Sequence, residues 1–245
     1  MTPRAEDNDP RLTQLYDLQN RWAADDGFFL GLAAERPASR IADVGCGTGR
    51  LTTALAEAGH RVTGVDPALA SLRAAQQKPN AARVTWIHGT AADLPSAADL
   101  PSAAFDLALM TAHVSQVFVH DTDGHDTLGH LHRALAQGGR LAFDMREPAA
   151  WAWTAWDSGE EREIVVFPDG QRVETWTTVD TGDELAGLVT FTEHTHFLAT
   201  GEQIHAPSPL KLHTETGLRD SLETAANRPS GREKAQNSVP PLPPC

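Results

Sequence analysis

A glycine-rich segment early in the chain constrains the fold more than any other feature of the sequence. Residues 41–50, IADVGCGTGR, place an apolar stretch directly before glycines at alternate positions, Gly45, Gly47 and Gly49. A stretch with helical spacing follows at once, so the segment predicts a strand, a tight turn and a helix. Glycine lets the backbone turn sharply and approach a ligand closely, and the helix N-terminus offers unpaired N–H groups. We therefore expect a ligand-binding turn at the carboxyl edge of a parallel sheet.

Strand and helix patterns alternate around this turn. Apolar residues with helical spacing fill residues 11–36, where Asp25 and Asp26 are placed to begin a second helix. The later strands are predicted at 40–46, 61–65, 84–88, 105–110 and 140–145, and the later helices at 50–58, 68–77 and 126–135, the last closed by Gly138 and Gly139. This alternation predicts an α/β fold, a doubly wound Rossmann-like parallel sheet with helices on both faces.

After residue 147 the pattern becomes that of antiparallel hairpins. Segments rich in Val, Thr, Ile, Phe and Trp alternate with turn residues such as Pro168, Asp169 and Gly170. These predicted strands are 163–167, 172–180, 185–198 and 203–206, and a helix is predicted at 216–226. The predicted organisation is a disordered N-terminus at 1–10, a Rossmann-like domain at 11–149, an antiparallel β insertion at 150–213, a C-terminal helix at 214–226 and a disordered, Pro-rich tail at 227–245.

Charge and composition argue against several function classes. The chain has 20 Lys and Arg against 33 Asp and Glu, a net charge of −13, and no basic stripe, which disfavours nucleic acid and anionic membranes as partners. Two cysteines, Cys46 and Cys245, are too few for a disulfide scaffold or a Cys-rich zinc site. No apolar run reaches the roughly 18 residues of a membrane span, and the N-terminus lacks the pattern of a secretory signal. A cytoplasmic location is therefore predicted.

Two acidic residues narrow the identity of the expected ligand. Asp43 lies in the first strand, two residues before Gly45, and Asp66 ends the second strand, 17 residues after Gly49. Dinucleotide sites use the spacing G-x-G-x-x-G, whereas this turn has G-x-G-x-G. A carboxylate at position 43 repels a pyrophosphate and suits a cationic ligand, and an acid at the end of the second strand can accept both ribose hydroxyls. A positively charged, ribose-bearing cofactor without a pyrophosphate therefore fits better than NAD.

These segments resemble the class I S-adenosylmethionine-dependent methyltransferases, and among them the small-molecule enzymes with an antiparallel β insertion after strand five. The resemblance covers about residues 11–226 and rests on the glycine turn and on GVDPA, HGTAADLP, FDLALMTAHVSQVF and QGGRLAFDMREP, at 64–68, 88–95, 105–118 and 137–148. It implies that the Rossmann-like domain binds S-adenosyl-L-methionine. It also implies in-line transfer of a methyl group to a small-molecule acceptor, with the insertion as the substrate wall.

The resemblance further implies which residues bind the cofactor. The three glycines would approach the methionine and ribose parts, while Asp43 lies near the amino group and Asp66 binds the ribose hydroxyls. Adenine would be packed by Pro67 and contacted by Thr90 or by the main chain of Ala91. The implied cofactor-binding set is Asp43, Gly45, Cys46, Gly47, Thr48, Gly49, Asp66, Pro67, Thr90, Ala91 and Thr111.

Two positions depart from the pattern of that family. The Asp that commonly pairs with the adenine amino group is replaced by Thr90 after Gly89, which leaves Asp93 as an alternative partner. Family members also close the sheet with a last strand after the final helix, whereas residues 227–245 show no strand pattern. An incomplete sheet would leave one edge strand exposed. A non-catalytic protein with this fold is therefore one alternative hypothesis.

His113 is the candidate catalytic residue. It follows the fourth predicted strand, at the edge where substrate should lie, and can act as a general base or else as a structural or cofactor contact. The other histidines, such as the pair His194 and His196, lack the acidic or Cys residues that would complete a metal site, so no metal is predicted. The tryptophans between residues 151 and 156 can either wall the substrate or pack the insertion against the sheet.

Two other enzyme classes remain as alternative hypotheses. A nicotinamide-dependent oxidoreductase on a related sheet is disfavoured by the spacing of the glycines and by Asp43. A protein or nucleic-acid methyltransferase is disfavoured because residues 111–114 read TAHV, where enzymes acting on base amino groups carry an Asn/Asp-Pro-Pro-aromatic motif. The small-molecule hypothesis is favoured over both, and the oligomeric state is not predicted.

Overall fold

The computed structural model describes residues 8–95, 104–146, 148, 152–180 and 187–227. The helices are α1 (Pro10–Gln19), α2 (Ala24–Ala34), α3 (Arg50–Glu57), α4 (Leu69–Ala75), α5 (Asp121–Ala134) and α6 (Glu215–Ala226). The strands are β1 (Arg40–Val44), β2 (Arg61–Asp66), β3 (Val84–His88), β4 (Phe105–Met110), β5 (Leu135–Phe143), β6 (Glu163–Val166), β7 (Arg172–Asp180), β8 (Leu188–Phe197) and β9 (Glu202–Lys211).

The strands form two separate sheets. A five-stranded parallel sheet has the order β3-β2-β1-β4-β5, and a four-stranded antiparallel sheet has the order β6-β7-β8-β9. Strand β1 lies between β2 and β4, so the chain winds in opposite directions on its two sides. A crevice opens at the carboxyl ends of the strands at such a switch point. The predicted Rossmann-like parallel sheet and its antiparallel insertion are both confirmed.

Apolar side chains of β1 show how helices come to cover both faces of the parallel sheet. Ile41 joins a buried cluster with Phe29 of α2 and Leu55 of α3, whereas Ala42 joins a second cluster with Leu131 of α5. Successive residues of a strand point to opposite faces, so neighbouring residues of β1 pack against helices on different sides of the sheet. Ile41, Leu55 and Leu131 are fully buried, and burial of each side chain contributes roughly 1.5–3 kcal/mol.

Helix α1 connects the two sheets. Leu15 is buried against Phe197 and Val173 of the antiparallel sheet. Arg11 forms an ion pair with Glu202 at the start of β9, with 2.6 Å between Nη1 and Oε2. The same helix also contacts α4 of the parallel unit. The position of α1 therefore places one helix against both parts of the fold.

The ends of the described region differ from the sequence prediction. Helix α1 begins at Pro10 with Asp9 as its N-cap, so ordered structure reaches into the segment predicted to be disordered at 1–10. The cap forms because Asp9 Oδ1 accepts a hydrogen bond from Arg11 N at 2.8 Å. Helix α6 ends with Asn227 as its C-cap. Residues 1–7 and 228–245 lie outside the described part of the chain.

The helix predicted at 126–135 begins five residues earlier, and this prediction of its start was wrong. It starts at Asp121 and ends at Ala134. A glycine at position 124 and the polar residues around it hide the apolar spacing from the sequence. The carboxylates of Asp121 and Asp123 in the first turn favour a helix start, because they face the positive end of the helix dipole.

Two glycines predicted to close α5 lie inside β5 instead. Gly138 adopts a left-handed φ of 76°, and the pairing of β4 with β5 shifts register between Phe105 and Leu107. A Cβ atom at Gly139 would lie 2.9 Å from the carbonyl oxygen of Phe105. Glycine is therefore needed at this irregularity, where β5 comes close to β4. In the sequence the same pair of glycines is typical of a turn, which is why the prediction placed a helix end here.

The outer strands of both sheets also differ from a simple pattern. Strand β9, predicted at 203–206, continues to Lys211 through Pro207 and Pro209. Proline is tolerated there because β9 lies at the edge of its sheet and need not donate on its outer side.

Within the described residues no strand follows α6, and β5 is an edge strand whose Phe143 is only half-buried. None of the described helices is both long and apolar enough to cross a bilayer.

Candidate active site

The glycine turn between β1 and α3 lies at the switch point of the parallel sheet. The carbonyl oxygen of Val65 accepts hydrogen bonds from the N–H groups of Gly45 and Cys46, at 2.9 and 3.2 Å. Gly45, Gly47 and Gly49 have left-handed φ values of 71°, 53° and 75°. Side chains rarely adopt this conformation, so the alternate glycines are what allow the strand to turn at once into the helix.

The three glycines face different surroundings. A Cβ atom at Gly45 would lie 2.6 Å from Val114 Cγ2, and one at Gly49 would lie 2.7 Å from Trp86 Cη2. A Cβ atom at Gly47 would have no heavy atom within 4 Å. Gly45 and Gly49 are therefore needed for close packing, whereas Gly47 leaves open space beside the turn.

Asp66 holds the turn from the end of β2. Its Oδ2 accepts a hydrogen bond from Gly47 N at 2.8 Å, and its Oδ1 accepts one from Ala68 N, also at 2.8 Å. The side chain is buried, with 6% of the residue exposed. A carboxylate has about four acceptor sites, so it can accept ligand hydroxyls beside these backbone bonds.

Asp43 lies beneath the turn and is almost fully buried, with 1% exposed. Its Oδ2 accepts a hydrogen bond from Thr52 Oγ1 at 2.6 Å, and its Oδ1 has no partner among the described residues. The pKa of this carboxyl is raised to about 6, chiefly by burial and also by the nearby carboxylates of Asp66 and Asp26, against the opposing hydrogen bond from Thr52. The pocket therefore favours a cationic partner close to this residue.

A cleft of about 160 Å³ opens beside the turn. Among the predicted site residues, it brings together Gly45, Pro67, Thr90 and Ala91. Helix α5 and the loop before it add side chains that the sequence did not indicate, namely Val114, Phe118, Asp126 and Thr127. Four predicted residues from three separate loops therefore line one cleft.

Asp93, the alternative adenine partner, is engaged in its own turn. Its Oδ2 accepts a hydrogen bond from Thr90 N at 2.8 Å, while Thr90 Oγ1 accepts one from Ala92 N at 3.3 Å. These reciprocal bonds form a capping box at the start of a short 3-10 turn. Thr90 and Asp93 are therefore the two halves of one local motif.

Seven predicted residues do not line that cleft: Asp43, Asp66, Gly47 and Gly49, described above, and Thr48, Cys46 and Thr111. Thr48 is buried, and its hydroxyl donates to Asp17 of α1. Cys46 is half-buried, and burial raises the pKa of its thiol well above the ordinary value, so the thiolate is disfavoured. Thr111 follows β4, and its carbonyl oxygen accepts a long hydrogen bond from Val114 N at 3.4 Å.

His113 forms a pair with Asp144, which follows β5. The imidazole Nδ1 lies 2.5 Å from Asp144 Oδ2, and His113 N donates to the same oxygen at 3.1 Å. Burial raises the pKa of Asp144, but the contacts from His113 outweigh it and hold the pKa below its ordinary value. An ionised Asp144 fixes a proton on Nδ1 and leaves Nε2 to accept one.

The backbone at this pair is strained. Ala112 and His113 both have left-handed φ values, 55° and 62°. Such values cost roughly 1 kcal/mol or more for a residue that is not glycine. The carboxylate of Asp144 accepts from the main chain of His113 as well as facing its ring, and this double contact offsets part of the cost.

Two functional contacts were missed from the sequence, Asp144 and Asp17. Asp144 meets His113 only because β4 and β5 are parallel neighbours. Asp17 of α1 accepts from Thr48 in the glycine turn and forms an ion pair with Lys78 Nζ at 2.7 Å. The available signal for Asp144 was its place directly after strand five, at the same edge as His113.

A second cavity of about 460 Å³ lies between α1 and the antiparallel sheet. Its helical side is formed by Leu12, Leu15, Tyr16, Gln19 and Asn20. Its floor comes from β7 and β8, with hydroxyl and carboxylate side chains. The insertion therefore forms one wall of a polar cavity beside the helix that holds the glycine turn.

The tryptophans after strand five pack within the insertion where they are described. Trp153 is buried with Val189 and Leu212, and Trp156 packs edge-on against Phe191 with ring centroids 5.7 Å apart. Trp151 lies outside the described residues. Within the described ranges, no group of three or more His, Cys, Asp or Glu side chains is arranged to hold a metal ion.

The parallel strand order, the glycine turn after β1 and the acid at the end of β2 together define a class I Rossmann-like methyltransferase fold. Comparison with known proteins supports this class. A family model described as a methyltransferase domain matches residues 41–139. Residues 41–139 therefore resemble a methyltransferase domain in sequence.

Individual relatives place the similarity more closely. The chain is 34% identical over 124 residues to a ubiquinone/menaquinone biosynthesis C-methyltransferase of Rubrivivax gelatinosus, which is 50% of this chain and 46% of that protein. It is 34% identical over 157 residues to a malonyl-[acyl-carrier protein] O-methyltransferase of Pseudescherichia vulneris, which is 60% of this chain and 57% of that protein. The chain thus spans about half the length of the curated relatives that it matches.

The fold extends beyond the domain matched in sequence. The sugar N-methyltransferase KedS8 from Streptoalloteichus superposes with a TM-score of 0.71 at 19% identity. The superposition covers 92% of this chain and 87% of that one. The shared architecture therefore includes the antiparallel insertion as well as the parallel sheet.

The residues of the site fit S-adenosylmethionine. Asp66 presents a buried carboxylate beside the turn, and the Cβ position of Gly47 is open. The Oδ1 atom of Asp43 has no partner among the described residues, which suits a ligand that carries positive charge. No basic side chain lines the 160 Å³ cleft apart from His130, so a pyrophosphate finds little there to neutralise it.

Proposed function

We propose that the chain transfers a methyl group from S-adenosylmethionine to a small-molecule acceptor. The observation that carries this proposal is the arrangement of Asp66 and Gly47 around the turn, a buried carboxylate bonded to the open glycine at 2.8 Å. A ribose needs paired acceptors at this point, and a sulfonium ligand needs no pyrophosphate site. Both requirements agree with the residues present.

The cofactor-binding residues divide by the part of the ligand that each would hold. Asp66 would accept the ribose hydroxyls, and Gly47 would let the backbone approach the methionine part. Pro67, Thr90 and Ala91 would surround the adenine in the cleft that they line. Asp43 would balance the positive charge from beneath the turn. The loss of Asp at position 90 leaves adenine recognition to the main chain and to α5.

The chemistry then depends on orientation and on one proton. The bound cofactor supplies an electrophilic methyl group. The protein excludes water, holds the acceptor in line and accepts a proton from it where the acceptor needs deprotonation. We assign the proton to Nε2 of His113, because Asp144 faces Nδ1 at 2.5 Å and holds the ring in one orientation.

The class of acceptor is supported by charge and by the similar proteins. A net charge of −13 disfavours nucleic acid as the substrate. The names of the similar proteins include a C-, an O- and a sugar N-methyltransferase, so the reacting atom differs among them. We therefore propose that the acceptor of this chain is a small molecule. We also propose a cytoplasmic location for the protein.

Calorimetric titration with S-adenosylmethionine and S-adenosylhomocysteine tests the function. Micromolar binding of both, with none of NAD, is expected for the native protein. Asp66→Ala should weaken binding by at least about 100-fold, since two charge-assisted contacts to ribose are lost. Asp220→Ala, which removes an exposed carboxylate of α6, should leave the affinity unchanged. Absence of binding by a folded native protein would refute the proposal.

A further inference from the structure

We propose that Arg146 binds a carboxylate of the methyl acceptor, and that this carboxylate is separate from the atom that is methylated. The proposal rests on the proposed function and specifies its substrate class. Arg146 follows β5, which ends at Phe143, at the same carboxyl edge of the parallel sheet as the glycine turn and His113. Ligands of parallel sheets bind at this edge. A molecule held by Arg146 is therefore on the edge of the sheet where the methyl donor would bind.

A buried glutamine fixes the position of Arg146. Gln116 lies on the short 3-10 turn Val114–Val117 after β4 and is 0% exposed. Its Oε1 accepts hydrogen bonds from N and Nη1 of Arg146, both at 3.2 Å, and its Nε2 donates to the carbonyl oxygen of Arg146 at 3.5 Å. One amide therefore holds both the main chain and the guanidinium. This order lowers the entropic cost of binding a ligand.

An aromatic ring covers one face of the guanidinium. The Cζ atom of Arg146 lies 4.6 Å from the ring centroid of Trp156, which packs edge-on against Phe191 of β8. Arg146 is therefore placed where the antiparallel insertion meets the edge of the parallel sheet. The N–H groups of a guanidinium point outward in its own plane, so stacking on a ring leaves them able to bind a carboxylate.

The positive charge of Arg146 is only partly compensated. Burial lowers the pKa of its guanidinium, and the charge of Asp144 opposes this shift without cancelling it. Asp144 itself contacts the ring of His113, at 2.5 Å. Within the ranges that the structure describes, Arg146 forms no salt bridge, and its guanidinium donates to the neutral amide of Gln116. A half-buried cation of this kind is stabilised by an anionic ligand.

The local charge favours a carboxylate over a phosphate. The contacts from His113 hold the pKa of Asp144 below its ordinary value, so this carboxylate is ionised beside Arg146. One guanidinium next to one carboxylate can balance a single further negative charge, whereas a phosphate group carries about −1.5 to −2 at pH 7. A carboxylate also matches the planar fork of a guanidinium with two parallel hydrogen bonds.

Two adjacent contacts would hold the two ends of the acceptor. His113 faces Asp144, and Gln116 faces Arg146, so the loops after β4 and β5 are joined at both points. The nucleophilic atom would bond to the methyl carbon as the bond from that carbon to sulfur breaks, and sulfur would keep the electron pair. The proton of the acceptor would pass to Nε2 of His113, while its carboxylate stays on Arg146. The acceptor class is therefore a hydroxy acid or an amino acid.

Three ligands that differ in one group test the site. Benzoate, benzamide and phenylphosphonate are titrated while the Nε–Hε NMR signal of Arg146 is followed, and Arg146→Gln identifies that signal. Benzoate should shift it saturably and bind at least about tenfold more tightly than either other ligand, because it alone forms a matched charge-assisted pair. The signal of Arg219, which is exposed and already paired with Glu215 at 2.7 Å, should not saturate.

Matched variants separate the charge of Arg146 from its positioning. Arg146→Gln should weaken benzoate at least about tenfold, and Arg146→Lys should weaken it less, since lysine keeps the charge without the fork. Gln116→Glu places a carboxylate against Nη1 and should exclude benzoate while S-adenosylhomocysteine still binds. Arg219→Gln should change neither affinity. Amide spectra of each variant establish that it is folded.

The position beside the cofactor is tested in the ternary complex. With S-adenosylhomocysteine bound, NOEs should join the ring protons of benzoate to the methylene groups next to sulfur. Their absence while both ligands bind would overturn the assignment of the carboxylate to the acceptor.

The remaining outcomes distinguish this inference from the proposed function. Equal binding of benzamide, tighter binding of phenylphosphonate, or an unshifted Arg146 signal with all three ligands would each overturn the inference. The titrations are repeated without cofactor, so the preference of Arg146 is decided even if S-adenosylhomocysteine does not bind. That last failure would refute only the proposed function.

Discussion

A single buried carboxyl group at the end of β1 couples the stability of the protein to pH. Burial raises the pKa of Asp43 from an ordinary 3.8 to about 6. The folded chain therefore binds a proton more tightly than the unfolded chain between these values. Stability from this group is complete below pH 3.8 and is lost as pH rises through about 6. At neutral pH the fold carries an unfavourable buried charge.

Replacing that carboxyl by an amide removes the cost. Asp43→Asn should raise the free energy of unfolding at pH 7.5 by on the order of 2–3 kcal/mol relative to the native chain. At pH 4 the two chains should be nearly equal, because native Asp43 is then protonated in the folded state. Urea denaturation at both pH values measures the difference. An unchanged dependence on pH would show that Asp43 does not titrate in this range.

The pair of His113 and Asp144 makes a separate kinetic prediction. His113→Ala should lower kcat about 100-fold, and Asp144→Asn about tenfold, with little change in KM. Loss of the base removes proton acceptance, whereas loss of the carboxylate only frees the ring to rotate. His120→Ala is the control, since His120 is exposed before α5. A rise in KM without a fall in kcat would assign His113 to binding instead.

At this scale the sequence was informative where chemistry is local. The alternate glycines required a tight turn, and Gly45, Gly47 and Gly49 adopt the left-handed conformation that it needs. Asp144 was missed, because its contact with His113 joins residues 31 positions apart, after two neighbouring strands. Spacing along a chain carries no information on such a contact until the strand order is known.

Among the secondary-structure elements, α1 depends most on a single apolar contact. Leu15 is buried against Phe197, Val173 and Phe167 of the antiparallel sheet. Leu15→Ala should lower the free energy of unfolding by about 2–4 kcal/mol, since the cavity left behind cannot close fully between helix and sheet. Hydrogen exchange should accelerate across α1 more than across α3.

The control for that prediction lies on the same helix. Leu12 is only partly buried in the same cluster. Leu12→Ala should therefore cost clearly less than Leu15→Ala, at similar helix propensity. Equal losses would mean that helix formation, and not the contact with Phe197, sets the stability of α1.

Element boundaries were predictable only where apolar spacing is regular. Strands β3 and β4 match their predicted limits, because their runs of apolar residues are bounded by turn residues. Helix α5 starts before its first apolar residue, and β9 runs through two prolines. In both cases the residues of the segment favour its secondary structure only weakly, and packing against neighbouring elements stabilises it.

At the scale of the whole molecule, the net charge predicts that the protein does not bind nucleic acid. With a net charge of −13, the chain should show no saturable binding to a duplex DNA or RNA in fluorescence anisotropy, even at low salt. The reason is that few phosphates can be neutralised by scattered Lys and Arg side chains. Saturable binding that falls steeply with added salt would contradict the proposed small-molecule class.

The two-sheet architecture was predictable in kind but not in arrangement. Alternation before residue 147 and hairpins after it indicated a parallel sheet and an antiparallel one, as found. The cavity between them was not indicated, because it exists only where Leu15 and Tyr16 of α1 meet β7 and β8. Such a cavity forms only when segments that are distant in sequence pack against each other, so local sequence patterns do not predict it.

The position of α1 has a consequence for how two ligands influence each other. Asp17 contacts the glycine turn on one side of the helix, and Tyr16 contacts the second cavity on the other. Ordering the helix costs conformational entropy, and a ligand that has already ordered it from one side removes this cost for a second ligand on the other side. Each ligand should then raise the affinity of the other by one and the same factor, whichever arrives first. The helix would thereby couple the occupancy of the glycine turn to that of the 460 Å³ cavity.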